Sequence, residues 1–141
     1  ALYGDLVFVD SVQTNKIYRK WIAGSYSDQL FLKGWMPPHP TFFVRKEIYN
    51  QYGKFNTTLK SSADYELMVR LLYLHKIKVG YLHGTLVHMR IGGQSTKSLS
   101  NRLKANYEDY QAWRLNSLKP KWYTLLLKPI RKIKQFYFHK F

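Results

Sequence analysis

Three prolines in four residues, Pro37, Pro38 and Pro40 within "WMPPHP", set the strongest limit on how this chain folds. Each fixes φ near roughly −65°, removes a backbone N–H and restrains the residue before it, so regular structure is forbidden there and must stop and restart around it. Upstream, "LVFVD" and "KIYRKWI" (Leu6–Asp10 and Lys16–Ile22) are rich in β-branched and aromatic residues and flank the turn-forming "SVQTN". A hairpin is predicted. "SYSDQLFLKG" then offers a Ser27 or Asp28 cap, an apolar cluster and a closing Gly34, the pattern of a short helix.

Downstream, "TFFVR" (Thr41–Arg45) reads as a short buried strand and "KEIYNQYG" as a two-turn helix stopped by Gly53. From Asp64, the positions Leu67, Met68, Leu71, Leu72 and Leu74 follow one helical face, with Arg70 opposite. "KVGYL" and "TLVHMRI" read as two further strands, the second entering a Gly92–Gly93 loop. Strands and helices alternate irregularly around a hairpin, which predicts a mixed α/β layer rather than a regular doubly wound sheet.

Beyond Ser98 the pattern becomes helical. Leu99, Leu103, Tyr107, Tyr110, Trp113 and Leu118 form a stripe that Pro120 ends. In the final segment, Trp122, Leu126, Ile130, Ile133 and Tyr137 fall on one side, and Lys128, Arg131, Lys132 and Lys134 largely on the other. Residues 1–98 are thus expected to form an α/β part, and 99–141 a helical extension with a basic amphipathic end.

With 45% hydrophobic residues in 141, the chain can bury a core of its own as one domain or a piece of one. It starts at Ala1 inside an apparent strand, so it is expected to be the carboxyl-terminal part of something longer. No cysteine is present, which excludes disulfides, zinc–cysteine sites and thiol nucleophiles and favours a reducing, cytoplasmic compartment.

Charge is unevenly spread. Residues 1–88 hold eleven Lys and Arg against six acids, while 89–141 hold twelve against two, and no acid follows Asp109. Such a tail suits a polyanionic neighbour, either an anionic membrane surface or nucleic acid. Its longest nearly apolar run, Trp122–Leu127, is far short of the ~20 residues that span a bilayer, so contact through 119–141 would be peripheral, on the cytoplasmic face. Packing of Trp122, Leu126 and Ile130 on another part of the protein is the remaining reading.

Asp64 opens a helix, where an acid is favoured by the helix dipole. With an ordinary pKa of about 3.9 it is also ionised at neutral pH, and partial burial is expected to raise its basicity as a proton acceptor. Glu66, two residues on, points to nearly the opposite side and cannot share a metal ion with it, so a solvated or Arg-paired role is expected. Asp5 and Asp10, and likewise His83 and His88, are five apart on strands and face opposite ways. They predict no site, and Asp10 reads as a turn residue. His39 is held rigidly between prolines. Arg90, with its fork of donors, precedes glycines whose backbone N–H groups can approach an anion closely, as a phosphate requires.

Taken together, "YGDLVFVD", "GWMPPHPTFFVRKEIYNQYGKFNTTLKSSADYELMVRLL" and "LVHMRIGGQSTKS" resemble consecutive blocks from the carboxyl-terminal half of family-2 glycosyltransferases with the GT-A fold, especially bacterial enzymes of surface-polysaccharide assembly. The likeness covers roughly residues 1–116. It implies inverting transfer of a sugar from a nucleotide-diphosphate donor to an acceptor hydroxyl on a glycan or lipid-linked acceptor. Asp64 in "SADYELMVRLL" matches the family's catalytic base, with Ala63 as the first member of the pair. Arg90 and Ser95 in "RIGGQS" match a loop that closes over the diphosphate or acceptor, with Gly92 and Gly93 inside it. His39 and Thr41 in "HPTFF" match an acceptor-lining segment. The resemblance also implies Mg2+ or Mn2+ in the full-length enzyme, held by an Asp-x-Asp or Asp-Asp pair that this chain does not supply. The 141 residues alone are therefore expected to be inactive. The alternative from another class is a noncatalytic basic module that binds nucleic acid or an anionic membrane surface.

Overall fold

The structure, a computed structural model, describes residues 1–92 and 99–137. Strand β1 (Leu2–Val9) is the middle of a three-stranded mixed sheet, with β2 (Ile17–Trp21) antiparallel on one side and β3 (Gly80–Arg90) parallel on the other. Residues 3–7 and Val9 of β1 are buried, as in a strand covered on both faces. The β1–β2 hairpin turns at Asp10, whose Oδ1 accepts the N–H groups of Val12 and Gln13 at 2.9 and 3.0 Å, and whose Oδ2 accepts the Tyr18 hydroxyl at 3.0 Å.

The two strands expected after residue 76 are one strand of 11 residues. Gly4 pairs with Leu82 but Asp5 pairs with Thr85, so His83 and Gly84 are extruded as a bulge, with Gly84 at φ 137°. The interruption that reads as a strand end is a bulge in a continuous ladder.

The proline corner ends in a tight 3-10 turn, His39–Thr41. Thr41 Oγ1 lies 2.8 Å from the carbonyls of both Gly4 and Pro38 and accepts the Gly4 N–H at 3.3 Å, tying the corner to β1. The strand expected at Thr41–Arg45 is reduced to one bridge, in which Leu2 and Phe43 exchange backbone bonds of 2.9 and 2.8 Å. Commitment of Thr41 to the turn leaves no run long enough to pair.

Helices α1 (Asp28–Leu32) and α2 (Lys46–Tyr52) form where predicted, α2 ending at Gly53. Helix α3 (Ala63–Met68) continues as a π-helical segment to Leu74. It is not amphipathic: Tyr65, Glu66, Leu67, Met68, Val69, Leu71 and Leu72 are all buried. The core joins its Tyr65, Met68 and Leu72 to Tyr3 of β1, Phe31 of α1, Trp35 and Trp113. Polar edges of this aromatic core are bonded: Tyr3 donates to the Gly24 carbonyl at 2.7 Å, Trp35 to the Ala23 carbonyl at 2.9 Å and Trp113 to the Tyr65 hydroxyl at 3.0 Å. Asp5 is buried and accepts the Ala23 N–H and the Tyr81 hydroxyl, both at 2.8 Å.

Glu66 is Arg-paired. Arg70 Nε and Nη2 each lie 2.9 Å from a different Glu66 oxygen, and Asn116 Nδ2 donates to Oε1 at 2.9 Å. The same guanidinium donates to the carbonyls of Tyr52, Gly53 and Lys54, which fastens the end of α2 to α3.

Helices α4 (Leu99–Leu115) and α5 (Thr124–Tyr137) pack over this core, α4 with only part of its expected apolar stripe and α5 with its stripe turned away. On α4 the inward face is Asp109, Ala112 and Trp113, while Leu103, Tyr107 and Tyr110 of the expected stripe are exposed. On α5 the inward residues are polar. Thr124 Oγ1 donates to the Leu32 carbonyl at 2.7 Å, Lys128 Nζ to Asp109 Oδ2 at 2.7 Å, and Arg131 Nε to the Lys33 carbonyl at 2.9 Å. Lys128 and Arg131, expected outside, are therefore the anchors. Among the described residues no helix is long and apolar enough to cross a membrane.

Helix α5 approaches the end of α1 so closely that a Cβ on Gly34 would lie 2.4 Å from the Lys128 nitrogen. Gly24 has nearly the same φ, 70° against 72°, but open space around it. Gly24→Ala is expected to cost about 1 kcal/mol from the left-handed backbone alone. Gly34→Ala should cost roughly 1–3 kcal/mol more and make α5 protease-sensitive, as read by urea unfolding and limited proteolysis. Glu66→Ala should destabilise the fold by about 3 kcal/mol, at the lower end for a broken buried pair because Arg70 keeps three carbonyl partners. Urea unfolding measures this too.

Candidate active site

Asp64 lies in the first turn of α3, and the work of capping that helix is shared with α4. Glu108 Oε2 accepts the N–H groups of Ser61 and Ser62 at 2.6 and 3.1 Å, while the Ser62 hydroxyl donates to the Ala105 carbonyl at 3.2 Å. Asp64 itself accepts the adjacent Tyr65 N–H on Oδ1 at 2.8 Å. Its other oxygen is free of the helix. That oxygen, Oδ2, meets Nδ1 of His39 at 3.0 Å, with the two side chains 26% and 51% exposed. The pair is therefore open to solvent on one side.

The proline corner and the start of α3 are separated by more than twenty residues, and Thr41 sets their relation. By locking the turn onto Gly4 it fixes the backbone that carries His39. Thr41 is itself fully buried, with its hydroxyl committed to Pro38 and Gly4. The expected substrate contact at Thr41 is corrected to a structural role.

Burial pushes the Asp64 carboxyl up, but the hydrogen bond and charge of His39, the Tyr65 N–H and the charge of Lys128 outweigh it. The carboxyl sits below its ordinary range, so the expectation that partial burial would make Asp64 more basic is reversed. It is a fully ionised and well-oriented acceptor at neutral pH. Lys128 was not foreseen here. Its ammonium lies 3.6 Å from the centre of the Tyr65 ring, one residue from Asp64, while paired to the buried Asp109.

Arg90 is exposed at the end of β3, in register with Val9. Gly4, where the corner is tied, lies five residues back along β1, about 16 Å of strand. Gly92 has φ 107° with open space around it, so its backbone is accessible. Gly93 and Ser95 lie outside the described residues.

For Mg2+ or Mn2+ the donor set does not fit. Among the described residues no three His, Asp or Glu side chains come together as ligands. Asp64 is engaged by His39 and Tyr65, and Glu66 is closed off by Arg70 and Asn116. Compared with known protein families, curated proteins and solved structures, the chain matches none.

His39→Ala removes the hydrogen bond and charge that lower the Asp64 pKa most, leaving the Tyr65 N–H and Lys128 against the burial that raises it, so the pKa should rise. A carbon-detected NMR titration of the side-chain carboxyl reads the shift. A carboxyl depressed in the folded state stabilises the fold above its unfolded pKa, and this is lost as pH falls through the folded value. The variant should accordingly begin to lose that contribution at higher pH than the parent.

Proposed function

We propose that the chain is the acceptor-side, carboxyl-terminal half of a GT-A glycosyltransferase domain, with a helical extension, and that it serves inverting transfer of a sugar to an acceptor hydroxyl in polysaccharide or glycolipid assembly. The observation that carries this reading is the half-open His39–Asp64 pair, held at 3.0 Å between a rigid corner and the head of a buried helix. Each carboxylate oxygen has accepted one hydrogen bond and retains room for another. An incoming alcohol can therefore donate to Asp64 without displacing His39.

In the proposed reaction the acceptor hydroxyl gives its proton to Asp64 as its oxygen attacks the anomeric carbon from the face opposite the diphosphate. The new glycosidic bond forms as the bond from carbon to phosphate oxygen breaks, and that electron pair leaves on the nucleoside diphosphate. The proton then passes from Asp64 to water at the exposed edge. His39 keeps the carboxylate ionised and oriented, which limits the reorganisation needed at the transition state. Arg90, with Gly92, Gly93 and Ser95, is assigned to the diphosphate, where a guanidinium fork and open backbone N–H groups suit phosphate oxygens. The rest of the donor site, including any metal ligands, is assigned outside these residues.

The test uses the intact enzyme and a panel of nucleotide sugars. Asp64→Asn should lower transfer by about 10²–10⁴-fold while nucleoside diphosphate affinity stays near that of the parent. Near-normal turnover in this variant would remove Asp64 from the chemistry.

A further inference from the structure

Helix α5 is attached in the reverse of the usual sense. Thr124, Lys128, Arg131 and Gln135, spaced four, three and four residues apart, lie on the side turned to the protein, and the first three bond to it. The opposite stripe is apolar and faces out: Leu126, Ile130 and Ile133 are 56%, 51% and 56% exposed, and Trp122, in the turn that leads into the helix, is 83% exposed. Three large side chains in line at helical spacing, with an exposed indole just before them, are a surface that water solvates poorly and that calls for an occupant.

The charges around the stripe select that occupant. Lys119 and Lys121 are exposed just before it, and residues 110–141 contain eight Lys and Arg and no acid. Asp109, the last acid, is buried under Lys128 and presents nothing outward. A second copy of the chain would bring the same cations face to face across a two-fold interface. Anionic lipid complements both features at once, with acyl chains for the stripe and headgroups for its flanks. At about 1.5 Å per residue the 14-residue helix is roughly 21 Å long, too short to span the hydrocarbon but suited to lie along its boundary.

We propose that the outward stripe of α5 is a docking surface for an anionic bilayer, with Trp122, Leu126, Ile130 and Ile133 entering the headgroup–acyl boundary and the flanking lysines contacting lipid phosphates. This inference does not rest on the sugar-transfer reading, and its test reads binding alone.

The full chain is mixed with vesicles of phosphatidylcholine alone or with roughly 30% phosphatidylserine, and binding is followed by co-sedimentation and Trp122 fluorescence. Expected are binding to the anionic vesicles, weak binding to the neutral ones, and a blue shift that Trp122→Phe abolishes. Leu126→Gln with Ile130→Gln alters only exposed positions and should weaken binding at least tenfold. Lys119→Gln with Lys121→Gln should weaken binding and flatten its salt dependence. Wild-type protein left in the supernatant, or a Leu126/Ile130 variant that binds like the parent, overturns the proposal. So does a dimer that the same variant converts to monomer without vesicle binding, which would assign the stripe to a second copy. A generic oligonucleotide bound more tightly than the vesicles, with no effect of that variant, would assign the cations to nucleic acid and overturn it equally.

Discussion

Burying a carboxylate in the middle of a helix is costly unless both its oxygens find donors, and Glu66 meets that condition with Arg70 on both and Asn116 on one. The consequence extends beyond the pair. Arg70 continues to three carbonyls at the end of α2, and Asn116 brings in the end of α4, so one charge network holds two segments against α3. Because α3 is surrounded on nearly every side, its head can turn in only one direction. Glu108 holds the backbone just before that head, and the side chain of Asp64 is left to face the proline corner.

The candidate site therefore depends on two rigid supports meeting at one carboxylate. One is the buried helix. The other is the 3-10 turn, whose Thr41 hydroxyl fixes it to the central strand. Between them Asp64 keeps a low pKa while staying reachable from solvent, a combination achieved by local donors against the opposing effect of burial. For proton abstraction this favours readiness over intrinsic basicity, and the positioning of an acceptor must supply the difference.

Much of the layout was legible from residue patterns. The β1–β2 hairpin, the turn role of Asp10, and α2 with its stop at Gly53 all follow from local preferences that the tertiary structure does not oppose. Errors arose where a long-range contact overruled a local signal. The Thr41 hydroxyl captured its segment into a turn, and a bulge at His83–Gly84 resembled the end of one strand and the start of another. Apolar spacing on α4 and α5 located helical stripes but did not say which side meets the core, because Asp109 and Lys128 invert the usual order by burying their charges together. At the site, His39 and Asp64 were each recognisable. Their contact was not, since it depends on how residues 41 and 4 meet.

The polar seating of α5 has a thermodynamic consequence. The heat-capacity change of unfolding comes mainly from apolar surface newly exposed to water, and the anchored face of this helix is largely hydroxyl, ammonium and guanidinium. Release of α5 from the body would therefore add little apolar hydration of its own. Calorimetry would register it as a faint, shallow event ahead of the main transition, whereas hydrogen exchange would distinguish the helix as a separate low-energy opening unit.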